Sequence, residues 1–418
     1  MATFSTFLTA ALPTLVLALI GLWTTLSVYL FVAGRRARMN QVIVAQTVAT
    51  VRRIEASGAL PELQVKELGR LAASLDKVSV LRTATALPER SPAVEVFARS
   101  ATTHHGLDWF VQQASASRSP RANWRRISAL RLLAHQGYSN LVPLLGQAAQ
   151  DHDSEIVGAA LALLGRSPDM KAADILVHAL TGAHYAPSRV ATYLDQFPLP
   201  LPAQLRPMLH NADASIRYWG VTLLARYTEA PGLEQDLTAL TNDPAPLVRR
   251  AAIAGLARVN VAAAVTAARP LLTDDVWYVR AHAARAIGEA GTPEFANDIA
   301  PLLADREWWV RTAAKEALQR MGSEVWSTLV PYLDHTDTFA RNGAAEVLQN
   351  IGILDSLIVL EAATTRPSQT KIDMLKKIAA AGGTRMTEAL LDRVDQPTRP
   401  RVRELLASLG LEPAGASL

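Results

Sequence analysis

The side chains of this sequence that carry chemistry at a fixed spacing are aspartates and arginines. Asp243 stands six residues before Arg249, Asp274 six before Arg280 and Asp305 six before Arg311, and Arg217 and Arg341 fall in the same register as these arginines. One such pair alone offers a general acid beside a cationic group that polarises or binds an anion. Written several times at one spacing it is a ladder, because an active site is a single constellation, and each Asp suits the turn that enters a following helix. The histidines are scattered without a zinc-protease spacing, and Asp151-His152-Asp153 reads as a turn between helices, not as a metal cluster. There is no cysteine, which excludes disulfides, thiolate metal sites and a cysteine nucleophile, and which fits a reducing compartment. No phosphate-binding glycine loop, dinucleotide fingerprint or nucleophile elbow occurs. The expectation is a non-enzyme with no catalytic residue, cofactor or metal.

Aromatic residues repeat in the same register. Trp277 and Tyr278 lie three and two places before Arg280, and Trp308 and Trp309 hold the corresponding places before Arg311. Phe339 before Arg341 and Trp124 before Arg126 continue the series. Equivalent places in stacked copies lie side by side, so these six side chains predict a strip along the starts of successive helices. Trp and Tyr beside Arg is the composition of a binding hot spot. The alternative for Trp277 and Trp308 is a seal between adjacent copies, and Trp219 and Trp326 are expected to be buried.

The elements that must position these residues form a repeat. Leu271 to Gly291 reads as the end of one helix, an Asp-containing turn and a second helix that opens on Val279-Arg280 and closes at Gly288 or Gly291. Positions equivalent to Arg280 recur at Arg126, Val157, Arg189, Arg217, Arg249, Arg311, Arg341, Lys371 and Arg403, in steps of 28 to 32 residues. Asp151 joins the aspartates of the series, and a glycine follows the marker by eleven residues at Gly137, Gly291, Gly322, Gly352 and Gly382. Two helical patterns per period, with no strand pattern, predict an all-α solenoid. These copies resemble HEAT repeats, in particular the short HEAT-like units also found in the phycobilisome lyase family, most strongly over 205–352. The resemblance implies that Asp243, Arg249, Asp274, Arg280, Asp305, Arg311 and Arg341 form a structural ladder tying each repeat to the next.

Around this core the copies degrade. Helical patterns at 61–75, 92–102 and 107–116 lack the markers, and a turn at 117–120 precedes the helix that holds Trp124. The alternating prolines of 197–202 cannot continue a helix and predict an extended connection, or a segment for a proline-reading partner. After 353, helices are expected near 353–363, 369–381, 384–394 and 399–409.

No charged side chain occurs before Arg35, and 7–33 is apolar or weakly polar throughout, against the roughly 20 residues a helix needs to cross a bilayer. A single transmembrane helix is expected there. Arg35, Arg36 and Arg38 follow at once, a topology signal that places the rest in the cytoplasm of a bacterial-type inner membrane, with the amino terminus outside. The segment lacks the basic start and short apolar run of a cleaved signal peptide. From 40 to 57 a helix continues, with Val44, Val48 and Val51 on one side, and caps the solenoid or pairs with a partner helix. The expected organisation is a short extracytoplasmic 1–6, the membrane helix 7–33, a juxtamembrane basic stretch and helix 34–60, degenerate repeats 61–120, the solenoid 121–410 and a tail 411–418.

Forty-two basic against 38 acidic residues leave a net charge of only +4, too balanced to argue for nucleic acid. The function expected is a membrane-anchored scaffold whose solenoid binds a protein partner in an inner-membrane assembly, such as a polysaccharide synthase or secretion complex, with no small-molecule substrate. Two other readings follow from resemblance: a bilin-lyase-like enzyme or chaperone, and a nucleic-acid binder similar to the HEAT-like alkylpurine DNA glycosylases.

Overall fold

The computed structural model describes residues 2–56, 60–87, 91–115, 123–182, 185–353, 356, 368–382, 394, 396–397 and 399–408, with the side chains of the first helix described from Leu19 onward, apart from 36–37. All the regular structure among them is helical. The expected helices near 353–363 and 384–394, the turn at 117–120 and the tail at 411–418 lie outside the described residues, apart from 353, 356 and 394. The chain divides into two compact units, 1–199 and 200–418, at the proline-rich stretch 197–202.

In the first unit α1 (Ala2–Ala56) is followed by α2 (Glu62–Ser74), α3 (Lys77–Ala86), α4 (Pro92–His105), α5 (Leu107–Ser115), α6 (Asn123–Gln136), α7 (Leu141–Ala148), α8 (Ser154–Leu164), α9 (Met170–Thr181) and α10 (Pro187–Asp195). The carboxyl-terminal part of α1 packs on α3 and α4. Its buried face is Thr47, Thr50, Val51 and Ile54, spaced three and four apart, so only Val51 of the three valines expected there is buried. Val44 and Val48 are half-buried. α3 was not foreseen between 61–75 and 92–102. It is set by Asp76, whose carboxylate accepts from the Ser79 amide at 2.8 Å as an N-cap.

The transmembrane helix expected over 7–33 is not supported. Among the described residues no helix is long and apolar enough to cross a membrane. Residues 7–18 belong to α1, but their side chains are outside the described set. Arg35 and Arg38 are exposed on α1.

The second unit holds α11 (Pro202–Leu205), α12 (Ala214–Leu224), α13 (Leu233–Leu240), α14 (Pro246–Val259), α15 (Val261–Ala268), α16 (Trp277–Ala290), α17 (Ala296–Ile299), α18 (Trp308–Arg320), α19 (Trp326–Leu329), α20 (Thr338–Asn350), α21 (Gln369–Gly382) and α22 (Arg399–Ser408). In four repeats the first helix tightens into a 3₁₀ turn, at Arg206–His210, Arg269–Thr273, Ala300–Ala304 and Val330–Asp334. Each has a proline as its second residue, Pro207, Pro270, Pro301 and Pro331. Proline has no amide to give the helix ladder, so the segment bends there and the next residues enter the core. Leu271, Leu272, Leu302, Leu303 and Leu333 are the side chains so delivered.

The second helices supply the seam. α16 buries Val279, Ala283, Ala284 and Ile287, and α18 buries Val310, Ala313, Ala314 and Ala317 in one cluster with them. Small residues bring these helices close: a Cβ built on Gly288 would lie 2.5 Å from the Ala317 Cα. Gly288 is therefore internal, and α16 ends instead at Gly291, whose φ of 64° serves as a left-handed cap. Gly137, Gly322 and Gly352 repeat that positive φ, while Gly382 is the last residue of α21.

Candidate functional site: an arginine ladder and an aromatic strip

The ladder is built across repeats. Arg217, Arg249 and Arg280 each donate Nη1 to backbone carbonyls of their own turn and turn Nε and Nη2 to the aspartate of the next repeat. For Arg280 these are Asp274 O at 2.8 Å, Asp275 O at 3.2 Å, and the two Asp305 carboxylate oxygens at 2.8 and 2.9 Å. Only 8 and 10 % of the two side chains is exposed, so the pair is bidentate and nearly dry. Burial disfavours ionised Asp305, but the Arg280 hydrogen bonds and the Glu307 amide outweigh it and hold the carboxyl below its usual value. Asp243 is depressed by the same balance, with Arg217 and the Ala245 amide opposing burial. Each aspartate also closes its own turn, where its Oδ1 accepts from the amide two residues on, Ala245, Val276 or Glu307. That turn leads the chain into the following helix.

In the first unit Arg126 also links to the next repeat, but through one contact, its Nη1 donating to Asp151 at 2.5 Å while its Nε donates to the Ala114 carbonyl at 2.9 Å. Its neighbour Arg125 is not equivalent: Arg126 is buried, and Arg125 is exposed over the Trp124 ring. The following rung is absent where Val157 replaces arginine, and a cavity of about 610 Å³ lies there, lined by Asp151, His152, Val157, Ile175, His178 and Tyr185. Asp153 caps α8 through the Glu155 and Ile156 amides and takes the Asn123 side chain at 2.6 Å, which accounts for the acidic turn at 151–153. Among the described residues no group of three or more His, Asp or Glu is placed to hold a metal ion.

The ladder ends differently from the sequence expectation. Arg311 keeps the backbone contacts, to Asp305 O at 2.8 Å and Arg306 O at 3.1 Å, but His335 occupies the aspartate's place in the next repeat. The His335 Nδ1 still accepts the Asp337 amide at 3.0 Å, so the turn survives while the rung is lost. Arg341 likewise binds the His335 and Thr336 carbonyls and the Thr338 hydroxyl. Arg311 joins no acid among the described residues, which corrects its assignment to the repeat-to-repeat ladder; the next-repeat position that would face Arg341, at 365, lies outside the described residues.

The aromatic side chains expected to form a strip are exposed in the second unit. Trp277, Trp308, Trp309 and Phe339 are 39, 53, 52 and 60 % exposed, so they do not seal the seam. Tyr278 is half-buried and packs against the core, edge-on to Trp277 at 5.5 Å. Trp124, in the first unit, is half-buried, with Arg82 and Arg125 at 5.9 and 5.6 Å from its ring. Two further apolar side chains of the second unit are exposed against expectation. Leu247, two places before Arg249, is 49 % exposed and was findable from its register alone. Trp326, expected in the core, is 46 % exposed because α19 is a single turn that buries Leu329 instead.

Residues 107–193, 233–319 and 266–349 match the family model for HEAT repeats. These stretches are HEAT repeats. The matches reach into the first unit, beyond the stretch where the sequence likeness was strongest, and they leave out 194–232 between them. No curated protein matches the chain in sequence. Among solved structures it is similar to an engineered protein, at 18% identity and TM-score 0.37 over 87% of this chain and 98% of that one. It is similar also to the complex of CpcE and CpcF of phycocyanin lyase from Nostoc sp. PCC7120, at 20% identity and TM-score 0.31 over 51% and 96%. The Kap95:Nup1 complex matches at 14% identity and TM-score 0.40 over 89% and 59%. At these scores the HEAT assignment rests on the repeat matches alone.

Proposed function

We propose that the protein is a scaffold, not an enzyme, that grips a protein partner with the aromatic strip of its second unit. The observation that carries this reading is the exposure of Trp277, Trp308, Trp309 and Phe339 together, beside Arg311 and Arg341. Water does not favour large apolar side chains left uncovered in a row, and Trp with Arg is what protein interfaces enrich at their energetic centres.

In the same reading the chain is tethered to a bilayer through 7–33, with the repeats on the cytoplasmic side of a bacterial-type inner membrane. Its supports are the uncharged run of the sequence, the arginines that follow it, and the exposure of Leu19, Ile20, Leu22, Trp23, Leu26, Tyr29 and Phe31 around α1. Tethering raises the effective concentration of a membrane-borne partner, so a modest intrinsic affinity suffices. Polysaccharide synthases and secretion complexes are the assemblies to examine first.

The test is capture from gently solubilised membranes with a tagged full-length chain, beside the Trp277→Ala/Trp308→Ala double variant. The expected result is a protein held by the wild type and lost from a folded variant. Full retention by that variant overturns the strip as the binding surface. Release of the full chain from membranes by alkaline carbonate overturns the tether.

A further inference from the structure

The missing rung has a shape. Arg311 is held by the same two backbone carbonyls as Arg217, Arg249 and Arg280, and in those three repeats the Nε and Nη2 edge grips an aspartate. At Arg311 that aspartate is His335, and three acids of this and the following repeat are engaged elsewhere. Asp334 pairs with Lys377 at 2.6 Å, Asp337 caps α20 through the Ala340 amide at 3.0 Å, and Glu346 pairs with Lys315 at 2.7 Å. The flat guanidinium face of Arg311 rests on Phe339, 4.1 Å from the ring centroid. A cavity of about 230 Å³ lies here, lined by Leu303, Trp308, Arg311, Phe339 and Glu346 among others. That is several times the roughly 30 Å³ share of a water molecule, enough room for a side chain.

Resting on the scaffold reading above, we propose that this position takes a carboxylate side chain from the protein partner. An Asp or Glu in an internal segment of the partner fills the place of the absent rung on Arg311. An apolar neighbour in that segment packs on Trp308 and Phe339. Charge complementarity selects the occupant: Arg311 is a guanidinium group without an acid among the described residues, set beside the exposed Trp308 and Phe339. The three filled rungs show the geometry in which this arginine position holds a carboxylate, and a bidentate fork distinguishes a carboxylate from an amide.

The experiment uses the full chain in detergent and two blocked nonapeptides, one with a central Phe-Glu-Leu and the other with Phe-Gln-Leu, followed by tryptophan fluorescence and calorimetry. The Glu peptide is expected to bind at least tenfold more tightly than the Gln peptide. Arg311→Gln removes the difference, and Arg311→Lys keeps the charge but loses most of it, because the fork is gone. His335→Asp supplies the rung internally: it raises the melting temperature and weakens the Glu peptide at least tenfold. Equal affinity for both peptides, no saturable binding of either, or an affinity untouched by His335→Asp overturns the proposal. Tighter binding of a neutral peptide with a free carboxyl terminus overturns the choice of an internal acid. If the captured partner stays bound to Arg311→Gln and His335→Asp but leaves the double tryptophan variant, the scaffold reading stands and this inference falls.

Discussion

Arg280 and Asp305, 25 residues apart in sequence, meet through two parallel hydrogen bonds at 2.8 and 2.9 Å. The contact joins α16 to the turn that opens the next repeat, and it is nearly excluded from water. Its partners answer to different neighbours, since Arg280 is also fixed by the carbonyls of its own turn and Asp305 by the amide of Glu307.

Removing the cation leaves an acid with little solvent. Arg280→Ala is expected to destabilise the second unit by about 3 kcal/mol, because a buried pair broken from one side strands the other charge. Arg280→Lys recovers only part of this, as a point charge does not replace the fork. Urea unfolding followed by circular dichroism measures both.

Gly288 tests the closeness of α16 and α18. Gly288→Ala places a methyl group 2.6 Å from the Ala317 Cβ and is expected to cost about 1–3 kcal/mol through forced separation of the helices. Here alanine's better helix propensity, worth up to about 1 kcal/mol over glycine, is outweighed. A rise in melting temperature would show that the helices separate freely.

Acid should act on the ladder late. Asp243 and Asp305 have folded-state values below the ordinary carboxyl range, so they stabilise the fold above the unfolded value of about 3.9. That stability is lost as pH falls through the depressed folded values. Unfolding free energy is expected to drop from about pH 4 downward, and Asp305→Asn should flatten the acid limb while lowering stability at neutral pH.

His282 gives a separate, earlier step. Burial lowers its value despite the Tyr278 carbonyl at 2.8 Å, which favours the charged form, and Arg250 and Arg285 push the same way as burial. The folded state therefore prefers the neutral ring, so its contribution is complete above the unfolded value of about 6.5 and declines as pH falls through the lower folded value. His282→Gln should erase a decline in melting temperature that begins below about pH 6.5. A titration of this histidine at or above its unfolded value, seen by NMR, would exclude that step.

Much of the repeat was legible from residue order. The period near thirty, the Asp and Arg registers and the glycines that end α16, α18 and α20 follow from local rules, because a helix start, an Asx-type turn and a left-handed cap are each set within a few residues. The prolines that tighten the first helices were equally local, at Pro270, Pro301 and Pro331, and were readable in hindsight from their own spacing. The burial face of α1 was not, since Thr47 and Thr50 look polar in isolation and become internal only when α3 and α4 are laid against them.

The sequence by itself determined an all-helical array of repeats and the register in which its arginines, aspartates and aromatics recur, because periodicity is written along the chain. Tertiary structure decided which members of that register are alike. Trp308 and Val310 are two residues apart, yet one is half exposed and the other fully buried. Arg280 and Arg311 occupy the same register, yet one holds an aspartate and the other stacks on Phe339. Exposure and pairing depend on what the neighbouring repeat brings across the seam, and no residue carries that information about itself.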